Sequence, residues 1–489
     1  MKIAFVASEV FPFAKTGGLA DVAGALPVEI KKLGNEVKIF MPKYSIVDEQ
    51  KFGLKYLYEL GSINIRVAGR IHGVHLFKGT LPDTDVEIYF IDYPYFYHRD
   101  TVYTNDPDED QRFILFVKAV IESLQRLSWT PDVIHCNDWQ TALLPLYIKD
   151  NYSWDKMFSK TATVFTIHNV AYQGKFSTQT LFNAEIRGEY FYPGGPVEYY
   201  GDVNFMKAGI HFSDVINTVS ETYSKELLTP EYSEGMHDAL KLRLNDFYGI
   251  LNGVDYKLWN PETDKHIPYN FSSDDLAGKL KNKKHLLEKI NLNYNENLPL
   301  VGIVSRLAIQ KGFDIIFDSL YELMDLPAQW VFLGNGEKKY EKMLTDVGAY
   351  FKNKVHVTIG YDNDFAHLIE AGTDIFLMPS RYEPCGLNQI YSLKYGTVPV
   401  VRKTGGLADT VQDWNEYNAY GQDTGTGFSF NNYSGAAMVH ALSRAINDFH
   451  NKAVWKKIML NGMKKDYSWE KSAVKYVDMY KNAIEIRRF

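Results

Sequence analysis

At 489 residues the chain exceeds what one hydrophobic core serves, since cores stop growing near ~250–300 residues, so two large domains are expected. Hydrophobic residues at 45% and charged residues at 23% exclude a disordered, collagenous or disulfide-stapled chain. A formal net charge of -7 argues against a protein that grips a phosphate backbone along a broad basic face, and no nucleic-acid partner is expected.

The N-terminal run Met1–Glu9 is too short, and too soon followed by a carboxylate, for a signal peptide or a membrane span. Lys2 to Ala7 instead reads as a short strand buried in a parallel sheet. Leu19, Val22, Ala23, Leu26, Ile30 and Leu33 then recur at helical spacing up to Gly34-Asn35, with Pro27 expected to bend the helix or make it irregular. Glu36–Met41, Asp132–Cys136, Thr161–Ile167 and Asp214–Val219 follow as strands, with helical patterns at Gln111–Leu127 and Trp139–Lys149 between them. A second alternating series opens beyond Asn252-Gly253-Val254-Asp255 and the lysine-rich segment Lys279–Lys289, which reads as a solvated helix face. Its strands are Leu300–Val304, Trp330–Leu333, Val355–Ile359, Asp374–Met378 and Val398–Val401. Both halves are therefore expected to be α/β, doubly wound parallel sheets with ligands outside the carboxyl ends of the strands.

Lys15-Thr16-Gly17-Gly18-Leu19-Ala20-Asp21 recurs letter for letter as Lys403-Thr404-Gly405-Gly406-Leu407-Ala408-Asp409. Both copies follow an apolar strand and precede a helical pattern, where paired glycines let backbone N–H groups approach an anion. Tight turns that need glycine only for positive φ are the plainer alternative. The repeat suggests two nucleotide-fold halves facing one cleft.

No G-x-G-x-x-G follows a strand, since Gly334-Asn335-Gly336 lacks the third glycine, and a Walker loop is absent. What remains is a set of groups at strand ends: Lys15, His168, Arg306 with Lys311, and Glu383 in the loop Pro379–Leu387. Two cations five residues apart, Arg306 and Lys311, can both reach a diphosphate, although spacing alone allows surface charge equally well. Cys136 and Cys385 stand far apart with no ligand-spaced partners, so neither a disulfide nor a zinc site is expected, and a reducing cytoplasm fits.

Taken together, Ser8–Pro12 leading into the first heptad, Asn137-Asp138-Trp139, Ile250–Asp255, Arg306 with Lys311-Gly312, Pro379–Leu387 and the second heptad give the chain a resemblance, nearly end to end, to bacterial and plant-type glycogen/starch synthases. These are retaining glycosyltransferases. The resemblance implies two Rossmann-like domains facing a central cleft (GT-B type). Residues 1–252 would form the acceptor-side domain, 253–470 the nucleotide-sugar donor domain, and 471–489 a C-terminal helix crossing back to the first. The implied reaction moves glucose from ADP-glucose to the non-reducing 4-OH end of an α-1,4-glucan or maltooligosaccharide, with no metal and no cofactor.

Position by position, the resemblance puts Lys15, Gly17, Gly18, Arg306, Lys311, Leu387 and Asn388 on the donor diphosphate and Tyr361 against the adenine. His168, Asn252, Glu383, Cys385 and Gly386 would surround the transferred glucose. Glu9, Asp138 and the Tyr93–Tyr103 stretch, with Tyr95, would line the acceptor path. Glu383, His168, Lys15, Arg306 and Lys311 are the expected catalytic groups. Cys136-Asn137 before Asp138, where relatives usually carry Ala-His, and Glu221 after Ser220, where proline is common, bear on acceptor preference. A same-face substitution assisted by the leaving phosphate is the expected mechanism, with Asp138 or Asp21 left open as a second carboxylate. Other readings are transfer to a small sugar acceptor, a metal-dependent transferase using Asp362-Asn363-Asp364, and a glucan-binding scaffold without turnover.

Overall fold

The computed structural model describes residues 1–488. The chain divides into two compact units, Met1–Gly253 with the segment from Trp469 onward, and Val254–Ser468.

In the first unit the sheet runs Phe247–Gly249, Val215–Thr218, Ala162–Ile167, Val133–Asn137, Lys2–Val6, Glu36–Pro42 and Glu87–Asp92, all parallel. The strand Arg70–Thr80 continues it antiparallel, with Lys55–Tyr56 and Ile63–Val67 paired to that strand. The central strands are buried on both faces, which is why they read as short apolar runs. From Lys2–Val6 the chain builds outward through Glu36–Pro42 on one side and later returns to Val133–Asn137 on the other. The strand order therefore reverses between Val6 and Asn137, and a crevice belongs at their carboxyl ends.

The second unit is a six-stranded parallel sheet in the order Val355–Ile359, Gln329–Gly334, Leu300–Val304, Ile375–Met378, Val398–Arg402, Phe428–Phe430. Its switch lies between Leu300–Val304 and Ile375–Met378. A large apolar cluster that includes Val301, Trp330, Leu377 and Phe428 packs the sheet against helices such as Gly435–His450.

Three expectations need correction. The lysine-rich helix Ala277–Lys289 is not simply a solvated face, because Lys279 and Lys283 are buried. Their long apolar stems line the core side while the ammonium groups find oxygen partners: Lys279 donates to Thr397 Oγ1 at 2.7 Å and Ala371 O at 3.2 Å, and Lys283 pairs with Asp374 at 2.6 Å. Pro27 does not make its helix irregular, since Gly18–Lys32 runs uninterrupted through it. Trp139–Lys149 is a short 3-10 turn, Trp139–Thr141, followed by a separate helix, Leu143–Lys149.

The C-terminal helix Trp469–Arg488 packs on the first unit, against the helix Gly18–Lys32 and the strand Ala162–Ile167. A buried polar chain ties it down. Thr166 donates its hydroxyl proton to Asn217, so its lone pair accepts from His135 Nε2–H at 2.6 Å. His135 Nδ1 is then the acceptor for Tyr480 O–H at 2.8 Å. Burial holds His135 down to about 3, so the ring is neutral and both of its nitrogens are matched.

Candidate active site

The chemistry-bearing residues of the first unit stand on the carboxyl ends of the strands at its switch point. Glu9, just past the Lys2–Val6 strand, is buried and accepts from the backbone N–H groups of Thr16 and of Gly17, the latter at 3.2 Å. Burial raises its carboxyl above the ordinary range; the two amides pull the other way. The Lys15 ammonium projects from the same turn, 46% exposed, and meets Asp21 at 2.7 Å. Beside it, a Cβ built on Gly18 would touch nothing within 4 Å, so this glycine faces open space.

Asp138 follows the strand Val133–Asn137 with φ 57° and ψ 178°, a conformation that side-chain-bearing residues avoid and that cores hold only where the surroundings dictate it. Its carboxylate accepts from His168 N–H at 2.8 Å. Burial outweighs that bond and, with the nearby Glu9 charge adding, pushes its carboxyl up to about 7. His168, at the end of Ala162–Ile167, is buried and held down to about 3, hence neutral. Asn137 fixes the tautomer: its Nδ2 donates to Val6 O at 3.0 Å, so its Oδ1 must accept from His168 Nε2–H, at 2.9 Å. His168 Nδ1 is thereby the acceptor nitrogen. Asn252 is buried and its Oδ1 has no hydrogen-bond partner. Tyr95 is 72% exposed, in an aromatic cluster with Tyr93 and Phe96. A surface depression lined by Lys2, Gly34, Glu36 and Asp132 lies at the opposite, amino-terminal edge of the sheet and holds none of these groups.

In the second unit Glu383 sits in the loop after the strand Ile375–Met378 and is buried. Lys311, at the end of the turn Ile309–Lys311, reaches its Oε2 at 2.6 Å, and Ser380 donates to the same oxygen at 2.9 Å. Arg306 is exposed and held by Gln310 Oε1 at 3.0 Å. Asn388 ties the loop to the other side of the switch by donating to Val304 O at 2.7 Å. Cys385 is buried, and Gly386 takes φ 70°, the left-handed region that favours glycine. Leu387 precedes the helix Asn388–Lys394. Tyr361 follows the strand Val355–Ile359 and is 83% exposed, an open aromatic face. The neighbouring acidic pair has structural duties: Asp362 caps the helix Asn363–Gly372 and Asp364 meets His266 Nδ1 at 2.6 Å.

The second heptad does not repeat the first. Gly406 N–H donates to Glu383 O at 3.1 Å and Pro384 O at 3.2 Å, and Lys403 pairs with Glu416 at 2.9 Å. A Cβ on Gly405 would lie 1.9 Å from Glu383 O and one on Gly406 2.0 Å from Cys385 O. Its glycines thus let the Glu383 loop lie directly on the turn, where the sequence suggested an anion. Two contributors are not distinguished by residue pattern alone: Ser380, one step before Arg381 in the Pro379–Leu387 motif, and Asn137, whose pairing with His168 depends on strand register.

The family profile described as starch synthase catalytic domain matches residues 2–242, and that of glycosyl transferases group 1 matches residues 287–458. The glycogen synthase of Geotalea daltonii is 46% identical over 98% of both chains, and that of Thermotoga maritima 45% identical over 99% of both. The chain belongs to the glycogen synthase family. It is therefore a glycosyltransferase of the GT-B fold. Among solved structures, the catalytic domain of starch synthase IV from Arabidopsis thaliana, bound to ADP and acarbose, superposes with a TM-score of 0.90 at 32% identity over 99% of both chains. Sucrose-phosphate synthase from Thermosynechococcus elongatus, at 15% identity over 98% of both chains and a TM-score of 0.60, shares the fold. No helix among the described residues is long and apolar enough to cross a membrane.

Proposed function

We propose that the protein transfers glucose from ADP-glucose to the non-reducing 4-OH end of an α-1,4-glucan or maltooligosaccharide, retaining the anomeric configuration. The observation that carries this reading is the buried Glu383 carboxylate fixed by Lys311 and Ser380 at a strand-end switch, in a chain of the glycogen synthase family. Breaking the anomeric C–O bond builds positive charge on the sugar and negative charge on the leaving diphosphate. Groups fixed beforehand around both charges lower the barrier because they act most strongly in the transition state.

In this reading Lys15, Gly17 and Gly18 in the first unit and Arg306, Lys311, Leu387 and Asn388 in the second serve the diphosphate. Tyr361 offers its ring to the adenine. Asn252, with an orphaned buried oxygen, and His168, with a neutral ring that accepts through Nδ1, are suited to sugar hydroxyls. Cys385 and Gly386 of the second unit serve the transferred glucose, and Glu9, Asp138 and Tyr95 of the first serve the acceptor. The leaving phosphate takes the acceptor proton on the same face, and Glu383 stabilises the glucosyl cation. Residues 1–252 are the acceptor domain, 253–470 the donor domain and 471–489 the segment that returns to the first, of which Phe489 lies outside the described residues. A cytoplasmic location is part of the proposal and accords with two buried free thiols, Cys136 and Cys385.

Incubation with labelled ADP-glucose or UDP-glucose and a short maltooligosaccharide, followed by product sizing, tests the reading. A ladder lengthened by single glucose units from ADP-glucose is expected. Label appearing only in a small sugar product, or no transfer, overturns it.

A further inference from the structure

Gln389, the second residue of the helix Asn388–Lys394, is fully buried. The two protons of its Nε2 are shared among three acceptors, the carbonyls of Cys385 and Gly386, each at 3.1 Å, and the Thr410 hydroxyl at 3.2 Å. That hydroxyl gives its own proton to Gly406 O at 2.6 Å, so it receives from Gln389 through a lone pair. One side-chain amide therefore joins the Glu383 loop to the Gly405-Gly406 turn.

The consequence lies in the peptide planes. The C=O and N–H of a trans peptide point in opposite directions. With the Cys385 carbonyl turned to Gln389, the Gly386 N–H points away from it; with the Gly386 carbonyl turned to Gln389, so does the Leu387 N–H. Gly386 has φ 70° and Leu387 φ -123° with ψ -35°. Both N–H groups thus turn to the side away from Gln389, where one anion can accept from two consecutive amides. The amide has one workable orientation, because turning it over would set its oxygen against two carbonyl oxygens. Its Oε1 has no hydrogen-bond partner, and a Cβ built on Gly386 would lie 2.6 Å from it.

We propose that Gln389 is a positioning residue for the donor, turning the Gly386 and Leu387 amides towards the diphosphate without touching substrate itself. The proposal rests on the reading of this site as a nucleotide-sugar donor site. It separates Gln389 from a residue that merely holds the fold, since its effect should follow the second phosphate of the nucleotide.

The test is Gln389→Met, which keeps length and loses the donor. ADP and AMP binding are measured by calorimetry on the full chain, together with KM for ADP-glucose and for maltooligosaccharide. Loss of aimed amides is expected to weaken ADP by about 10-fold or more and AMP by less than about threefold, with donor KM raised and acceptor KM unchanged. Should that variant not fold, Thr410→Val removes one anchor of the amide and is expected to weaken ADP by about threefold, again more than AMP. A folded variant of either kind that binds ADP as the wild type does, or that loses ADP and AMP equally, overturns the inference. Wild-type protein that binds neither ADP nor ADP-glucose overturns the donor-site reading beneath it, so the two failures are distinguishable.

Discussion

The Lys311 ammonium lies 2.6 Å from Oε2 of Glu383, the same oxygen that accepts from Ser380 at 2.9 Å. A buried carboxylate is tolerable only when paired and hydrogen-bonded, and both requirements are met here on one oxygen. The other oxygen keeps its direction without carrying the anchoring, which suits a group meant to face charge developing on a sugar ring.

Glu383→Gln is therefore expected to fold and to bind ADP within a few-fold of wild type while turnover falls by roughly 100-fold or more, the scale of one preorganised electrostatic group. Turnover close to wild type in the folded variant would remove Glu383 from the mechanism.

The repeated heptad gives an internal comparison. Lys15 and Lys403 are both paired at the surface, to Asp21 at 2.7 Å and Glu416 at 2.9 Å. Only Lys15 follows a strand at its sheet's switch point; Lys403 follows Val398–Arg402, one strand further out. Lys15→Gln should forfeit about 2–4 kcal/mol of transition-state stabilisation as a direct phosphate cation. Lys403→Gln should lose about 1 kcal/mol or less, as an exposed ion pair would. Turnover and donor affinity measured side by side decide it, and equal losses would make the two copies functionally symmetric.

The glycines of the heptads differ in kind as well. Gly406→Ala forces a methyl to within 2.0 Å of Cys385 O, and backbone cannot give way as a side chain can. It is expected to cost about 1–3 kcal/mol and to displace the Glu383 loop. Gly18→Ala meets nothing within 4 Å and should unfold at the wild-type temperature, losing activity only if the diphosphate passes close to it. Thermal unfolding with turnover on both variants checks this, and equal stability of the two would refute the packing account.

The readable parts of the sequence were those where burial alone sets the pattern. Leu300–Val304 is a strand with the predicted bounds because a parallel strand inside the sheet is covered on both faces and must be apolar throughout, whereas Val355–Ile359, at the sheet's edge, was legible from its alternating Val355, Val357 and Ile359. Arg70–Thr80 escaped because it lies near the sheet's edge, where buried and exposed residues mix without a clean alternation. Lys279 and Lys283 escaped because a charge letter says nothing of where a four-carbon stem can carry it. In the site, Lys15, His168 and Glu383 were legible as chemical groups at strand ends. Gln389 was not, since its role depends on where the carbonyls of Cys385 and Gly386 point, and no residue pattern records that. The second heptad misled for a related reason: identical letters gave one glycine pair open space and the other a carbonyl at contact.

Asp138 carries the clearest dependence on pH. Burial, which outweighs the His168 and Asn169 amides, lifts its carboxyl from 3.8 to about 7. In the unfolded chain it ionises near the lower value, so between the two the folded protein keeps a proton that the unfolded chain has lost. Stability is therefore full below the unfolded value, falls as pH rises through the window, and is lowest above about 7. A tenfold change in proton affinity is worth about 1.4 kcal/mol, which sets a ceiling of about 4 kcal/mol that water at the part-exposed carboxylate reduces. Asp138→Asn removes the charge and keeps an oxygen for His168 N–H, and it inherits the same backbone strain. The variant is expected to be more stable than wild type by about 1–4 kcal/mol at about pH 8, with the gain nearly gone at about pH 4, where the folded wild type is protonated at this carboxyl and the unfolded chain about half so. Thermal unfolding of the pair at both pH values tests it: a gain that is equal at the two, or larger in acid, would mean that Asp138 is ionised without penalty in the folded protein and that its burial is not what sets its chemistry.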